Sequence, residues 1–139
     1  MLEARARWVS GFLFDAEDSS GRKMKMDASV EAGGGGDGFR PAELPILGLA
    51  GCTGMDTIEI LQKMRQEVTG FDVFVTATKK DGIPAGYAGI HVRYEIRGKG
   101  LDPKKVEHAV RLSEEKYCTV GRALSKATDI THEIEIIEE

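Results

Sequence analysis

Residues 41–68 constrain the fold more than any other part of the chain. Their apolar side chains recur at spacings of three and four, which is the pattern of a helix with one buried stripe. The stripe consists of Leu47, Ala50, Gly54, Ile58, Leu61, Met64 and Val68. Because Pro45 cannot lie deep inside a helix, the continuous helix is predicted to begin near residue 44, after a turn at 41–43. Residues 48–54 carry no charge and include three glycines, which predicts a central helix closely approached by another element.

Strand patterns flank this helix on both sides. Residues 4–15 alternate as a half-buried strand and residues 22–27 alternate again after a turn, which predicts an N-terminal hairpin. Residues 71–80 and 88–97 alternate more clearly, with one face buried and one wet, and this favours an antiparallel sheet. Asp102 and Pro103 predict a helix start as N-cap and first-turn proline, and that helix runs to about Tyr117. A short helix near 119–126 and a final strand at 130–137 follow.

This element order predicts an α+β fold in a single domain of 139 residues. Its parts are N-terminal strands in 1–40, a central cysteine helix in 41–69, and a hairpin, helices and a final strand in 70–139. Each predicted sheet is small, so the association of two chains is a reasonable way to complete the core.

Charge and composition argue against several classes of partner. The net charge of −4 disfavours a nucleic-acid partner, because phosphate binding needs a basic face. We expect no apolar run long enough to span a bilayer and no signal peptide, and hence a cytoplasmic protein without a membrane partner. The three histidines lack paired ligand spacing, so no metal is expected. The glycines of 33–38 lack the Lys-Ser/Thr of a phosphate loop and predict a mobile loop.

The chain has two cysteines, Cys52 and Cys118, which should be reduced in the cytoplasm. Composition alone leaves two interpretations open, inert core side chains or reactive thiols. Three signatures surround them: Pro-x-Glu-Leu at 41–44, Leu-x-Gly-Cys-Thr at 49–53 and Glu-Lys-Tyr-Cys at 115–118. Together these segments resemble the OsmC/Ohr family of osmotically induced and organic hydroperoxide resistance proteins, most of all its OsmC-like branch.

The resemblance implies both a fold and a chemistry. The implied fold has antiparallel sheets wrapped around long central helices in an intertwined homodimer. The implied activity is that of a thiol peroxidase for organic hydroperoxides, with Cys52 as the peroxidatic thiol and Cys118 as the resolving thiol. A sulfenic acid on Cys52 would condense with Cys118 to a disulfide, which an external thiol or dithiol would reopen. No cofactor or metal is implied.

The resemblance also implies an arginine held by a carboxylate, because a thiol in an apolar site needs a cation to ionise. Glu43 matches the carboxylate, although the chain has Ala42 where many members place an acid. A solvated first-turn acid is the equal alternative for Glu43. Arg22 matches the arginine best, with Arg40 as the other candidate. Asp56, one helical turn after Cys52, would oppose thiolate formation unless it too engages a cation, and is expected to support the site or to contact a second copy.

Apolar residues near these signatures favour an organic or lipid hydroperoxide over hydrogen peroxide. They are Leu49, Met55, Phe39 and Tyr117. Two alternatives stay open: a non-enzymatic OsmC-like binding module whose cysteines only pack, and another thiol chemistry such as disulfide reduction or persulfide handling.

Overall fold

The computed structural model describes residues 1–139, which form two compact units, Met1–Pro45 and Ile46–Glu139. The N-terminal unit contains a three-stranded antiparallel sheet, β1 (Arg5–Ser10), β2 (Leu13–Glu17) and β3 (Lys23–Met26), in that order. The predicted first strand is therefore two strands. The chain reverses at Gly11, whose φ of +52° is a conformation that glycine adopts readily. The prediction that this strand is half-buried is wrong for β1, which is exposed along its whole length.

The glycine-rich loop of the N-terminal unit is closed around one carboxylate. Asp27 is only 4% exposed and accepts hydrogen bonds from the backbone N–H groups of Ala28, Gly35 and Asp37, at 2.8, 3.2 and 3.2 Å. A Cβ on Gly34 would lie 2.2 Å from the Ala28 carbonyl oxygen, so this close approach needs glycine. The loop that the sequence predicts to be mobile is thus held by hydrogen bonds.

The central helix begins as predicted. A 3₁₀ turn at Pro41–Glu43 leads into α1 (Leu44–Lys63). The helix ends at Lys63 instead of residue 69, because Arg65 takes a φ of 55° and the next strand starts at Glu67. A positive φ cannot continue a right-handed helix.

The expectation that no apolar run could span a bilayer is wrong on length and composition. The helical segment Pro41–Lys63 is long and apolar enough to cross a membrane. Its few charged residues fall mainly toward its ends, and the 3₁₀ turn adds to its length. The central helix of a soluble domain passes the same test, so this finding is weak evidence for a membrane span.

The C-terminal unit has a mixed three-stranded sheet, β4 (Glu67–Lys79), β5 (Tyr87–Lys99) and β6 (Ile130–Glu138). β4 and β5 are antiparallel as predicted, whereas β6 is parallel to β5, which corrects the prediction of antiparallel sheets only. The reason is the crossover through α2 (Pro103–Leu112), a π turn (Ser113–Tyr117) and α3 (Thr119–Ser125). Helices of this length return the chain to the starting end of β5, and a parallel strand is the result.

The core of this unit lies between the sheet and the helices. β5 buries alternate residues, and α1 and α2 cover them with their own buried stripes. The core residues are Leu49, Leu61, Ile90, Val92, Tyr94, Ile96, Leu101, Val106, Ala109, Val110 and Cys118. Asp102 caps α2 as predicted, since its side chain accepts a hydrogen bond of 3.0 Å from the Lys104 N–H, and Pro103 opens the helix.

Candidate thiol site

Cys52 lies on α1 beside the stripe that faces the core. Leu49 and Thr53 are buried on that stripe, whereas Cys52 is half-buried at its edge. The Thr53 hydroxyl donates to the Leu49 carbonyl at 3.0 Å, so this polar side chain is satisfied within the helix. A Cβ on Gly54 would stand 3.4 Å from Val73 Cγ2, which shows how closely α1 approaches β4. The sulfur is therefore carried by a rigid, closely packed helix.

Cys118 is held at the junction between the π turn and α3. Its N–H donates to the Ser113 carbonyl at 2.8 Å, which closes the widened turn. As the N-cap of α3, its Sγ accepts a hydrogen bond of 3.2 Å from the Gly121 N–H. Ser113 fixes this segment to α1, because its hydroxyl donates to the Thr53 carbonyl at 3.2 Å. These bonds aim the Cys118 side chain toward α1.

The two thiols are brought together. Both cysteines are free, Cys118 is 3% exposed, and its thiol is within hydrogen-bonding contact of the Cys52 side chain. Burial, followed by this contact, raises the pKa of Cys118 to about 12, despite the opposing hydrogen bond from Gly121. Cys118 is therefore a protonated thiol at neutral pH.

Asp56 adds a carboxylate to the same site. Its charge contributes to the raised pKa of Cys118, and its Oδ2 accepts a long hydrogen bond of 3.5 Å from the Ser113 hydroxyl. The Asp56 charge thus opposes ionisation of Cys118, whereas the effect expected at Cys52 stays a prediction.

A polar network that the sequence did not reveal lies beside Cys118. The Tyr94 hydroxyl donates to Glu114 Oε1 at 3.2 Å, and Glu114 pairs with His132 Nδ1 at 2.9 Å. Tyr94 is fully buried, and burial is the main cause that raises its pKa. The alternation of β5 predicts that Tyr94 points inward, but its meeting with Glu114 and His132 depends on the crossover to β6.

A cavity of about 150 Å³ opens next to this network. Its wall is formed by Leu49, Thr53, Val92, Tyr94, Glu114, Glu115, Cys118, Gly121, Ser125 and Ile130. Cys118 is part of the wall, whereas Cys52 is not. The cavity therefore adjoins one cysteine of the pair and not the other.

The other predicted site residues belong to the N-terminal unit. Arg22 pairs with Asp18 at 3.9 Å, and Arg40 pairs with Glu43 at 3.6 Å, with all four side chains at least half exposed. Exposed pairs of this kind contribute between zero and about 1 kcal/mol. The backbone N–H of Arg22 also donates to Asp18, which lowers the pKa of that carboxyl. The interaction of Arg22 or Glu43 with the Cys52 thiol stays a prediction.

Of the apolar residues expected near the thiols, Leu49 lines the cavity, whereas Met55 and Tyr117 are exposed on the C-terminal unit. Phe39 is exposed on the N-terminal unit. No three His, Cys, Asp or Glu side chains converge as metal ligands would.

The fold and the paired thiols define an OsmC-like protein. The chain belongs to this family, whose signature matches residues 34–133. It is 36% identical over 136 residues to Protein YhfA of Escherichia coli K12, which covers 98% of each chain. It also resembles the crystal structure of a hypothetical protein from Aquifex aeolicus VF5, with 27% identity, a TM-score of 0.88, and coverage of 100% and 98%.

A more distant neighbour has a functional name. The organic hydroperoxide resistance protein OhrB of Bacillus subtilis is 22% identical, with a TM-score of 0.64 over 97% of this chain and 98% of that one. At this identity the likeness shows the fold alone. The α+β fold expected from the resemblance is confirmed by these comparisons.

Proposed function

We propose that this protein is a cytoplasmic cysteine-based peroxidase that reduces organic hydroperoxides through a Cys52 sulfenic acid and a Cys52–Cys118 disulfide. The observation that carries the proposal is the contact between the two free thiols. A sulfenic acid formed on either sulfur would have its resolving partner beside it.

The roles of the two cysteines follow from their environments. Cys52 is half-buried on α1 and is the more accessible sulfur, whereas Cys118 is 3% exposed. Since its pKa is raised to about 12, Cys118 keeps its proton and can donate an S–H to a thiolate on Cys52. Cys52 is therefore the sulfur that attacks peroxide, and Cys118 is the one that resolves.

The proposed cycle has three steps. The Cys52 thiolate attacks the distal oxygen of ROOH, the O–O bond breaks, and an alcohol leaves after taking one proton. Cys118 then displaces the hydroxyl of the sulfenic acid as water, its own proton leaving with that oxygen, and the disulfide forms. Two external thiols, or one dithiol, supply the two electrons that reopen it.

A cation near Cys52 would favour its thiolate, and we propose Arg22 for this role, with Glu43 as the carboxylate that holds it. The resemblance to the OsmC/Ohr family supports this assignment. Arg40 is the alternative, supported by its ion pair of 3.6 Å with Glu43.

We also propose that the protein acts as a homodimer. On α1, Leu47, which the sequence pattern placed wrongly in the buried stripe, is 52% exposed and Met55 is 73% exposed, with Gly51 exposed between them. These three positions recur every four residues and form one uncharged stripe on the outside of the helix. A stripe of this kind on a central helix is suited to packing against the same stripe of a second copy. An organic hydroperoxide would meet the apolar surroundings of Cys52 more favourably than hydrogen peroxide.

The test treats the reduced protein with one equivalent of cumene hydroperoxide, tert-butyl hydroperoxide or hydrogen peroxide and follows thiols and intact mass. We expect fast loss of both thiols with a loss of two hydrogen masses, faster for the organic peroxides and abolished in Cys52→Ser. Cys118→Ser should instead retain oxygen on Cys52. If both thiols survive a many-fold excess of peroxide, the proposal is wrong. Cysteine reactivity without peroxide consumption would favour the other thiol chemistries.

Matched variants test the cation and the dimer. Arg22→Ala should slow Cys52 oxidation, whereas Arg111→Ala, which removes another exposed arginine, should not. If Arg40→Ala slows the reaction and Arg22→Ala does not, the alternative assignment holds. Light scattering should give a dimer that Met55→Glu weakens and Lys105→Glu, on the exposed face of α2, leaves intact. A monomeric wild-type protein would refute the dimer.

A further inference from the structure

We propose that the cavity beside Cys118 receives the electron donor, and that this donor is a small thiol carrying a positive charge and no carboxylate, which attacks Cys118 and releases Cys52. This inference rests on the proposed Cys52–Cys118 cycle and adds to it the place of entry, the sulfur attacked and the chemical class of the reductant.

The geometry of the cavity selects the sulfur. Cys118 forms part of the cavity wall, whereas Cys52 does not. A thiol that enters here therefore meets Cys118 and does not meet Cys52. In thiol–disulfide exchange the thiolate attacks one sulfur of the disulfide, and the other sulfur is the leaving group. Attack at Cys118 makes Cys52 the leaving group.

The size of the cavity limits the donor. Its volume is about 150 Å³, and its aliphatic lining residues are Leu49, Val92 and Ile130. A water molecule occupies about 30 Å³ of liquid, so the space accepts roughly five small heavy atoms or groups. A short aminothiol fits this space, and a tripeptide thiol such as glutathione does not.

The charge of the cavity wall determines which charge on the donor is favoured. Glu114 and Glu115 lie in it, and no lysine, arginine or histidine does. Glu115 is exposed and has no ion-pair partner, while Glu114 is shared between Tyr94 and His132. The nearest lysine in sequence, Lys116, does not line the cavity, and its ammonium lies 5.4 Å from the Tyr117 ring centroid. An ammonium group on the donor is attracted here and a carboxylate is repelled.

The exchange balances in two steps. The donor thiolate attacks Cys118, the Cys52–Cys118 bond breaks, and the electron pair leaves on Cys52. A second donor thiolate then attacks the bound donor sulfur, which forms a free disulfide and returns Cys118, which takes a proton from water. Because the pKa of Cys118 is raised to about 12, Cys118 is a poor leaving group in this second step. The mixed disulfide on Cys118 should therefore accumulate.

The test starts from the protein disulfide made with diamide, so that it does not depend on reaction with peroxide. Cysteamine, 2-mercaptoethanol, mercaptoacetate and glutathione are compared by the rate at which protein thiols return. Each rate is divided by that of the same thiol with bis(2-hydroxyethyl) disulfide, which removes differences in intrinsic reactivity. We expect the normalised ratio of cysteamine to mercaptoacetate to be about tenfold, since attraction of the ammonium and repulsion of the carboxylate each change the rate by about threefold. Glutathione should be no faster than mercaptoacetate.

Two variants and one control locate the effect. Glu115→Gln should lower the ratio by about threefold, and Glu114→Gln/Glu115→Gln should bring it close to one. Glu59→Gln/Glu107→Gln removes two exposed carboxylates of the same unit that lie outside the cavity, and it should leave the ratio unchanged. Since Glu115 makes no ion pair, its variant is expected to fold normally even if the double variant does not.

The position of the donor is read by acid quenching, alkylation and peptide mapping. We expect cysteamine on Cys118 and the alkyl group on Cys52. Cysteamine found on Cys52, or a ratio that is the same in wild type, Glu115→Gln and the control variant, would overturn the proposal. A protein that forms the disulfide with diamide but ignores peroxide would refute the proposed peroxidase alone.

Discussion

Removal of the Tyr94 hydroxyl isolates the contribution of the buried network beside Cys118. Tyr94 is 0% exposed, and its ring stacks on Phe71 with 6.4 Å between the ring centroids. Tyr94→Phe keeps this packing and deletes only the oxygen that donates to Glu114 at 3.2 Å. The change therefore measures a hydrogen bond and creates almost no cavity.

The size of the effect depends on what is left without a partner. After the change, Glu114 still pairs with His132 at 2.9 Å, and the Thr53 hydroxyl still donates its hydrogen bond to the Leu49 carbonyl at 3.0 Å. Neither group is stranded, so the full cost of an unsatisfied buried charge does not apply. A hydrogen bond to a charged acceptor contributes about 1.5–3 kcal/mol, and the remaining contacts put the expected loss near the lower end, at about 1.5 kcal/mol. In a domain of this size that corresponds to about 3–6 °C in Tm.

Urea unfolding of the reduced protein at pH 7, followed by far-ultraviolet circular dichroism, measures this loss. Tyr117→Phe is the control, because Tyr117 is half exposed and contacts Lys116 through the face of its ring, which the change keeps. It should change the free energy of unfolding by less than about 0.5 kcal/mol. A Tyr94→Phe variant as stable as the control would show that the network contributes nothing.

Other variants test the remaining parts of the structure. Asp27→Ala removes the acceptor of three backbone N–H groups and should cost about 2–3 kcal/mol, with faster hydrogen exchange at the Gly35 and Asp37 amides; unchanged protection there would contradict the closed loop. Gly121→Val places its Cβ 3.2 Å from Cys118 Sγ and should destabilise the protein by about 1–3 kcal/mol, measured by urea unfolding, and slow disulfide formation; wild-type values for both would show that the contact is not tight. The reduced protein should lose stability as pH rises above 9, the ordinary pKa of the thiol, because the folded state holds the Cys118 proton up to about pH 12 while the unfolded state releases it. Cys118→Ser should flatten that slope in urea titrations between pH 8 and 11, and an unchanged slope would assign it elsewhere.

The sequence predicted the elements whose signals are local. Pro45 predicted the start of α1, and Asp102 with Pro103 predicted the start of α2, because caps and prolines act within one turn. The sequence pattern did not predict the break between β1 and β2 at Gly11, because the alternation of residue types continues across it. The sequence pattern also did not predict that β6 pairs parallel to β5. Strand direction depends on a crossover of some thirty residues, and no local pattern indicates it.

The candidate site divides in the same way. Cys52 and Cys118 could be paired from the signatures around them, and the structure brings them together. Tyr94, Glu114 and His132 come from β5, the π turn and β6, so their meeting requires the tertiary fold. The charge of Glu115 on the cavity wall was visible in the sequence, but its position relative to Cys118 was not, since the π turn changes which side chains share a face.

The position of Cys118 at a helix start shows which physical effect governs this thiol. An N–H donor at a helix N-terminus ordinarily lowers the pKa of a cysteine, and Gly121 provides such a donor at 3.2 Å. Burial, the Cys52 contact and the Asp56 charge outweigh it, so the net pKa is raised. The N-cap bond therefore serves to orient the sulfur toward Cys52 more than to activate it. Serine caps a helix well whereas alanine does not, so Cys118→Ser should preserve α3 and Cys118→Ala should cost about 1 kcal/mol in urea unfolding. Equal stability of the two variants would show that the cap does not hold this cysteine in place.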